Sequence, residues 1–156
     1  MASDTSGSQK SAITPHLTVR DTNAAIAFYK EAFGAKEIYR MPNPEGTCIW
    51  HAEVEINGAS IFLNDEFPDA NCLSPTTLNG SPVTIHLDVD DADAWFEQAV
   101  KAGATVTMPL EDAFWGDRYG KFADPFGHHW SISTPIPNLS PEEIQQRVAA
   151  VMSGAK

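Results

Sequence analysis

The stretch TPHLTVRD, from Thr14 to Asp21, returns seventy residues later as TIHLDVDD, from Thr84 to Asp91, with Thr, His, Leu, Val and Asp in the same places. A phrase written twice at long spacing marks a duplicated supersecondary unit, with too few copies for a solenoid. Both copies alternate polar and apolar residues, as a strand buried on one face does. Thr14, His16 and Thr18 share one face, and Leu17 and Val19 the other. In the second copy Thr84, His86 and Asp88 stand opposite Leu87 and Val89. Each copy ends on an aspartate able to cap a helix by accepting from its first free amides.

The repeat continues beyond the phrase. Ile26, Phe28, Tyr29 and Phe33 recur at helical spacing before Gly34, and Trp95, Phe96 and Val100 before Gly103. Strands are then predicted over Lys36–Arg40, Cys48–Ile56 and Ser60–Asn64, the last two joined by the hairpin signal Asn57-Gly58. The second half offers Ala104–Met108, Arg118–Ala123 and His128–Ser133, with Asp124-Pro125-Phe126-Gly127 as the matching turn. Each half reads as β-α-β-β-β. Residues 65–82, rich in proline and turn formers, read as a linker between module one at 13–64 and module two at 83–135. Glu111 and Asp112 read as a solvated loop. Residues 136–156 form an extension, where Ser140-Pro141-Glu142-Glu143 is a capping box opening a helix to about Met152. Its stripe of Ile144, Val148 and Val151 needs a surface to dock on.

Composition narrows the function. A chain of 156 residues fits one domain, and a formal charge of −11 disfavours nucleic acid and anionic membrane surfaces as partners. No apolar run approaches the roughly 20 residues that span a bilayer. Residues 1–12 lack an apolar signal-peptide region and read as a disordered tail. Cys48 and Cys72 are too few for a disulfide framework, so a cytoplasmic location is expected.

The twinned openings, the run Ala24-Ala25-Ile26-Ala27-Phe28-Tyr29, and Gly116-Asp117-Arg118-Tyr119-Gly120 followed by Asp124-Pro125-Phe126-Gly127-His128 together resemble the vicinal-oxygen-chelate superfamily. That group includes glyoxalases, bleomycin-resistance proteins, fosfomycin-modifying enzymes and extradiol dioxygenases; the last motifs look most like its PhnB-like branch. The resemblance covers about Ile13 to Thr134. It implies an α+β fold of two tandem β-α-β-β-β modules rolling into a cup-shaped sheet, plus the C-terminal helix, and a homodimer.

It also implies four inward positions that carry metal ligands in metal-dependent members. They fall here on Thr14, Phe62, Thr84 and Ser131, none an imidazole, carboxylate or thiolate. The expected protein is therefore a metal-independent binder of a small organic molecule, similar to bleomycin-resistance members. The candidate ligand-binding residues are Thr14, Phe62, Thr84, Asp88, Trp115, Tyr119, His129 and Ser131. Arg118 could clamp an anionic group or simply pair with Asp117. Trp50 or His51 could face the cavity, whereas His128 is expected to be structural. The alternative is a glyoxalase- or dioxygenase-like enzyme with a divalent zinc, nickel, iron or manganese displaced onto His16, His86 and His129. A second alternative is metal-free acid/base catalysis by His16 or His86.

Overall fold

The computed structural model describes residues 13–154, so the expectation for residues 1–12 lies outside the described part. Module one runs β1 (His16–Val19), α1 (Thr22–Phe33), β2 (Lys36–Pro42), β3 (Ile49–Ile56) and β4 (Ala59–Asp65). Module two repeats the plan as β5 (Thr84–Asp88), α3 (Ala92–Ala102), β6 (Thr105–Asp112), β7 (Asp117–Ala123) and β8 (His129–Pro135). The first sheet has the order β1-β4-β3-β2 and the second β5-β8-β7-β6. In each, the opening strand lies parallel to the last one, and the other pairs are antiparallel.

The repeated aspartates and glycines do the local work expected of them. The Asp21 carboxylate accepts from the Ala24 amide and Asp91 from that of Ala94, while Gly34 (φ 62°) and Gly103 (φ 123°) turn the chain out of each helix. Asn57 and Gly58 both take positive φ, 49° and 79°, which is the geometry of the tight turn between twisted strands.

Helix α1 belongs to both modules. Ile26 and Tyr29 are fully buried in the core beneath the first sheet, where Val54 and Leu63 also lie. Phe33 meanwhile packs its ring 4.8 Å from that of Trp130 and 5.9 Å from Phe122, on the strands of the second sheet. The modules are thus joined by one apolar core. Asp124 fastens the joint. Its Oδ2 accepts from the Tyr29 hydroxyl at 2.6 Å and the Trp130 indole at 2.9 Å, and its Oδ1 accepts from the amides of Phe126 and His128.

Three segments differ from the sequence reading. The linker is not structureless: it holds a 3-10 turn (Pro68–Ala70), the short helix α2 (Pro75–Leu78) capped by Ser74, and a bridge between Phe67 and Cys72. Glu111 and Asp112 are not loop residues; they close β6 opposite Tyr119 and Arg118, because register shifts around Met108 carry the strand past Pro109. The last helix, α4 (Pro141–Met152), has its full capping box, but none of its side chains is buried. Its first turn touches the domain through Ile144, whose Cδ1 sits 3.0 Å from where a Cβ on Gly116 would be.

Candidate functional site

The strand alternation that buries Leu17, Val19, Val54, Ile61 and Leu63 turns the intervening residues to the opposite face, which the family resemblance makes the concave one. In the first sheet these include His16, Thr18, His51 and Phe62. His16 sits beside Phe62 in register, and the rings of His16, His51 and Phe62 lie 4.8–5.8 Å apart, all edge to face. Burial, reinforced by the like charge of His51, pulls the His16 imidazole below its ordinary range, against a hydrogen bond donated to Asn64 that acts the other way. The folded linker also reaches this face: the Cys72 sulfur lies 3.0 Å from Thr18 Oγ1 and 3.3 Å from Asn64 Nδ2.

The second sheet carries a polar network. His86 and Ser131 are register partners, as are Asp88 and Ser133. His86 Nδ1 lies 2.8 Å from Ser131 Oγ, and Nε2 lies 3.1 Å from both Asp88 Oδ1 and Ser133 Oγ. The ring stacks on Tyr119 at 6.1 Å. Both imidazole nitrogens thus have partners. Ser131 and Ser133 are buried, and polar groups there need such partners.

Between β1 and β5, the facing edge strands of the two sheets, lies a cavity of about 570 Å³. His16, Thr84, His86 and His128 supply its polar groups, and Leu17 and Ile85 its apolar ones. A second cavity of about 370 Å³ opens beside the β6–β7 hairpin, lined by Met108, Glu111, Asp112, Phe114, Trp115 and Tyr119.

The sequence candidates therefore divide. His16, Thr84 and His86 share the larger cavity, while Trp115 and Tyr119 belong to the smaller one. Phe62 packs on His16, Asp88 and Ser131 orient His86, and His129 is half-buried opposite Thr84. Thr14 precedes β1, half-buried. Arg118 pairs neither with a ligand nor with Asp117. It shares the helix-side parity of Phe122 and binds Asp93 on α3 at 2.7 and 2.8 Å and Asp112 at 3.1 Å. His51, and not Trp50, takes the inward place. His128, expected to be structural, donates from Nε2 to the Thr18 carbonyl of the first module at 2.9 Å, and it also lines the larger cavity. Sequence reading passed over Ser133, Phe114 and the Cys72 contact; Ser133 could have been found by continuing the alternation from His129 and Ser131.

The donors at the four inward positions do not fit a cation. Phe62 has no donor atom, the Ser131 hydroxyl is taken by His86, and Thr14 and Thr84 offer neutral hydroxyls. Among the described residues no three His, Cys, Asp or Glu side chains are grouped to hold a metal ion. His16, His86 and His129 form no such group among the described residues, although His16 and His86 line one cavity.

Paired β-α-β-β-β modules with polar concave faces define the class of fold, and comparison with known proteins gives the family. Residues 12–132 match the family model of the Glyoxalase/Bleomycin resistance protein/Dioxygenase superfamily, and the chain belongs to that superfamily. An uncharacterised protein of Mycobacterium tuberculosis is 49% identical over 146 residues, covering 92% of this chain and 85% of its own. Protein YjdN of Escherichia coli is 28% identical over 144 residues, covering 78% of this chain and 93% of its own. Among solved structures, TioX from Micromonospora sp. ML1 superposes with a TM-score of 0.63 at 25% identity, over 81% of this chain and 99% of that one. The fosfomycin resistance protein FosX from Listeria monocytogenes, in complex with Mn(II) and sulfate, shares the fold: TM-score 0.61, 19% identity, 88% of this chain and 97% of that one. None of the described helices is long and apolar enough to cross a membrane.

Proposed function

We propose that this protein binds a small organic molecule against its concave sheet faces, without a metal at the four positions the family uses for one. The observation that carries the reading is the side-chain content of those faces. Where cation ligands would stand there are Thr14, Phe62, Thr84 and Ser131, and the histidines beside them make ring contacts or hydrogen bonds with the wall. A cavity of about 570 Å³ with a few convergent polar groups and apolar walls suits a small ligand. Membership of a superfamily whose description names bleomycin resistance protein agrees with it. The reading includes a cytoplasmic homodimer. Tyr39, 51% exposed on β2, together with the bare stripe of α4, supplies apolar surface for a second copy to cover.

Acid/base catalysis is the second reading, and it favours His16, which lines the larger cavity, over His86, whose two ring nitrogens are both engaged by the wall. A thermal-shift screen of small organic molecules, run with and without chelator, tests both. Binding raises the melting temperature by mass action. Stabilisation that is indifferent to chelator and lost in His16→Ala supports binding at the larger cavity. Turnover of any stabilising compound, abolished in His16→Ala but retained in His86→Ala, moves the assignment to catalysis.

A further inference from the structure

The smaller cavity has a chemical character of its own. The hairpin loop between β6 and β7 is pinned by the Ala113 amide donating to the Asp117 carbonyl at 2.7 Å and the Gly116 amide to that of Ala113. This holds Phe114 and Trp115 at the loop tip, 40% and 39% exposed. Their rings stand 5.0 Å apart at 87°, and Trp115 stands 5.2 Å from Tyr119 at 73°. Rings set nearly at right angles form a corner, and do not stack closed on one another. Exposed aromatics clustered this way mark a surface for a ligand.

The charge beside the corner is negative. Glu111, the register partner of Tyr119, lines the cavity and has no ion pair among the described residues. Asp112 lines it too, with Arg118 at 3.1 Å, but that guanidinium is aimed mainly at Asp93. Lys121, the cation on the concave face of β7, lies opposite Met108 and is not part of the lining. Aromatic faces carry the negative side of a quadrupole and attract a cation set over them, the more so beside an unmatched carboxylate. Met108, Pro109 and Ala113 complete an otherwise apolar wall. A primary ammonium is the more strongly hydrated cation and loses more on entering an aromatic corner, whereas an alkylated ammonium holds its charge behind methyl groups and loses little.

We propose that the Phe114–Trp115–Tyr119 corner with Glu111 recognises an organic cation bearing an alkylated ammonium group. This deepens the binding reading, on which it rests, by assigning the sign of the ligand's charge. The volume of about 370 Å³ accepts such a group with a short substituent.

The test uses choline and 3,3-dimethylbutan-1-ol, which differ in having N⁺ or carbon at the same place. Each is titrated into the full chain while the tryptophan indole N–H resonances are followed by NMR, Trp115 being assigned from Trp115→Leu. Choline is expected to shift the Trp115 resonance to saturation and to bind at least about fivefold more tightly than the alcohol. Glu111→Gln should weaken choline about fivefold and leave the alcohol unchanged. Equal binding of the two probes, or an indifferent Glu111→Gln, overturns the cation assignment and leaves binding of a neutral molecule standing. Failure of both probes to move Trp115 overturns the assignment of this cavity and confines the binding reading to the cavity between β1 and β5.

Discussion

Removing the Asp124 carboxylate should be the most damaging single change on this scaffold, and the effect should depend on Tyr29. Asp124, Tyr29 and Trp130 are 5%, 0% and 0% exposed, so water cannot replace the lost acceptor. Asp124→Ala leaves the Tyr29 hydroxyl and the Trp130 indole orphaned in the core, at about 1–3 kcal/mol each, and frees the amides of the turn. We expect a loss of about 3–5 kcal/mol, within the range reserved for broken buried networks. Tyr29→Phe removes one donor and leaves the carboxylate its other three, so it should cost about 1.5–2.5 kcal/mol. In the Asp124→Ala background the same change deletes an orphan, and should be neutral or stabilising. Urea unfolding of the four proteins closes the cycle, with an expected coupling of about 2 kcal/mol. A coupling below about 0.5 kcal/mol would refute the claim that this bond joins the modules. The same pair gives an alkaline signature. Burial first, then the Asp124 charge and hydrogen bond, hold the Tyr29 hydroxyl well above its ordinary value. A raised acid stabilises the fold while protonated, so its contribution is complete below about pH 10 and fades as pH rises through the folded value. Tyr29→Phe should lack that alkaline loss.

Three further outcomes follow from the geometry. His51→Gln removes the like charge beside His16, so the His16 imidazole should titrate higher by NMR while burial still keeps it below the ordinary range; an unmoved titration would place His51 elsewhere. Gly120→Ala would put a Cβ 2.8 Å from Phe96 Cε2 and 3.0 Å from the Leu110 backbone, and should cost about 1–3 kcal/mol by urea unfolding, where a neutral result would contradict the packing of α3 on β7. The Ser74 and Thr77 hydroxyls, then the Ser74 amide, lower the Glu66 carboxyl to about 2, so its contribution is present above about pH 4.5 and lost as pH falls through about 2; Glu66→Gln should flatten that acid limb, and an unchanged limb would exclude the contact.

Local rules made most of the fold legible. The alternation of TPHLTVRD and TIHLDVDD gave both strand faces, and Asp21, Asp91, Gly34, Gly103 and Asn57-Gly58 act where short-range chemistry puts them. What stayed hidden depends on distance along the chain or on a slipped register. Tyr29 and Asp124 meet across 95 positions, and Arg118 finds Asp93 rather than its neighbour Asp117 because Asp117 is on the other side of the strand. Register shifts in β3 at Trp50 and in β6 defeat simple alternation, which is why the face of His51 and the strand ending at Asp112 could not be read off the sequence. The linker's short helix escaped because its four residues, Pro75 to Leu78, are too few to show a period.

Metal content most directly tests the central claim that a polar hollow here works without a resident cation. Untagged protein, purified without chelator and analysed by elemental mass spectrometry, should carry well under one equivalent of zinc, nickel, iron or manganese per chain, with an unchanged melting temperature after chelator treatment. One equivalent of any of these metals, lost in His16→Ala or His86→Ala, would contradict the account.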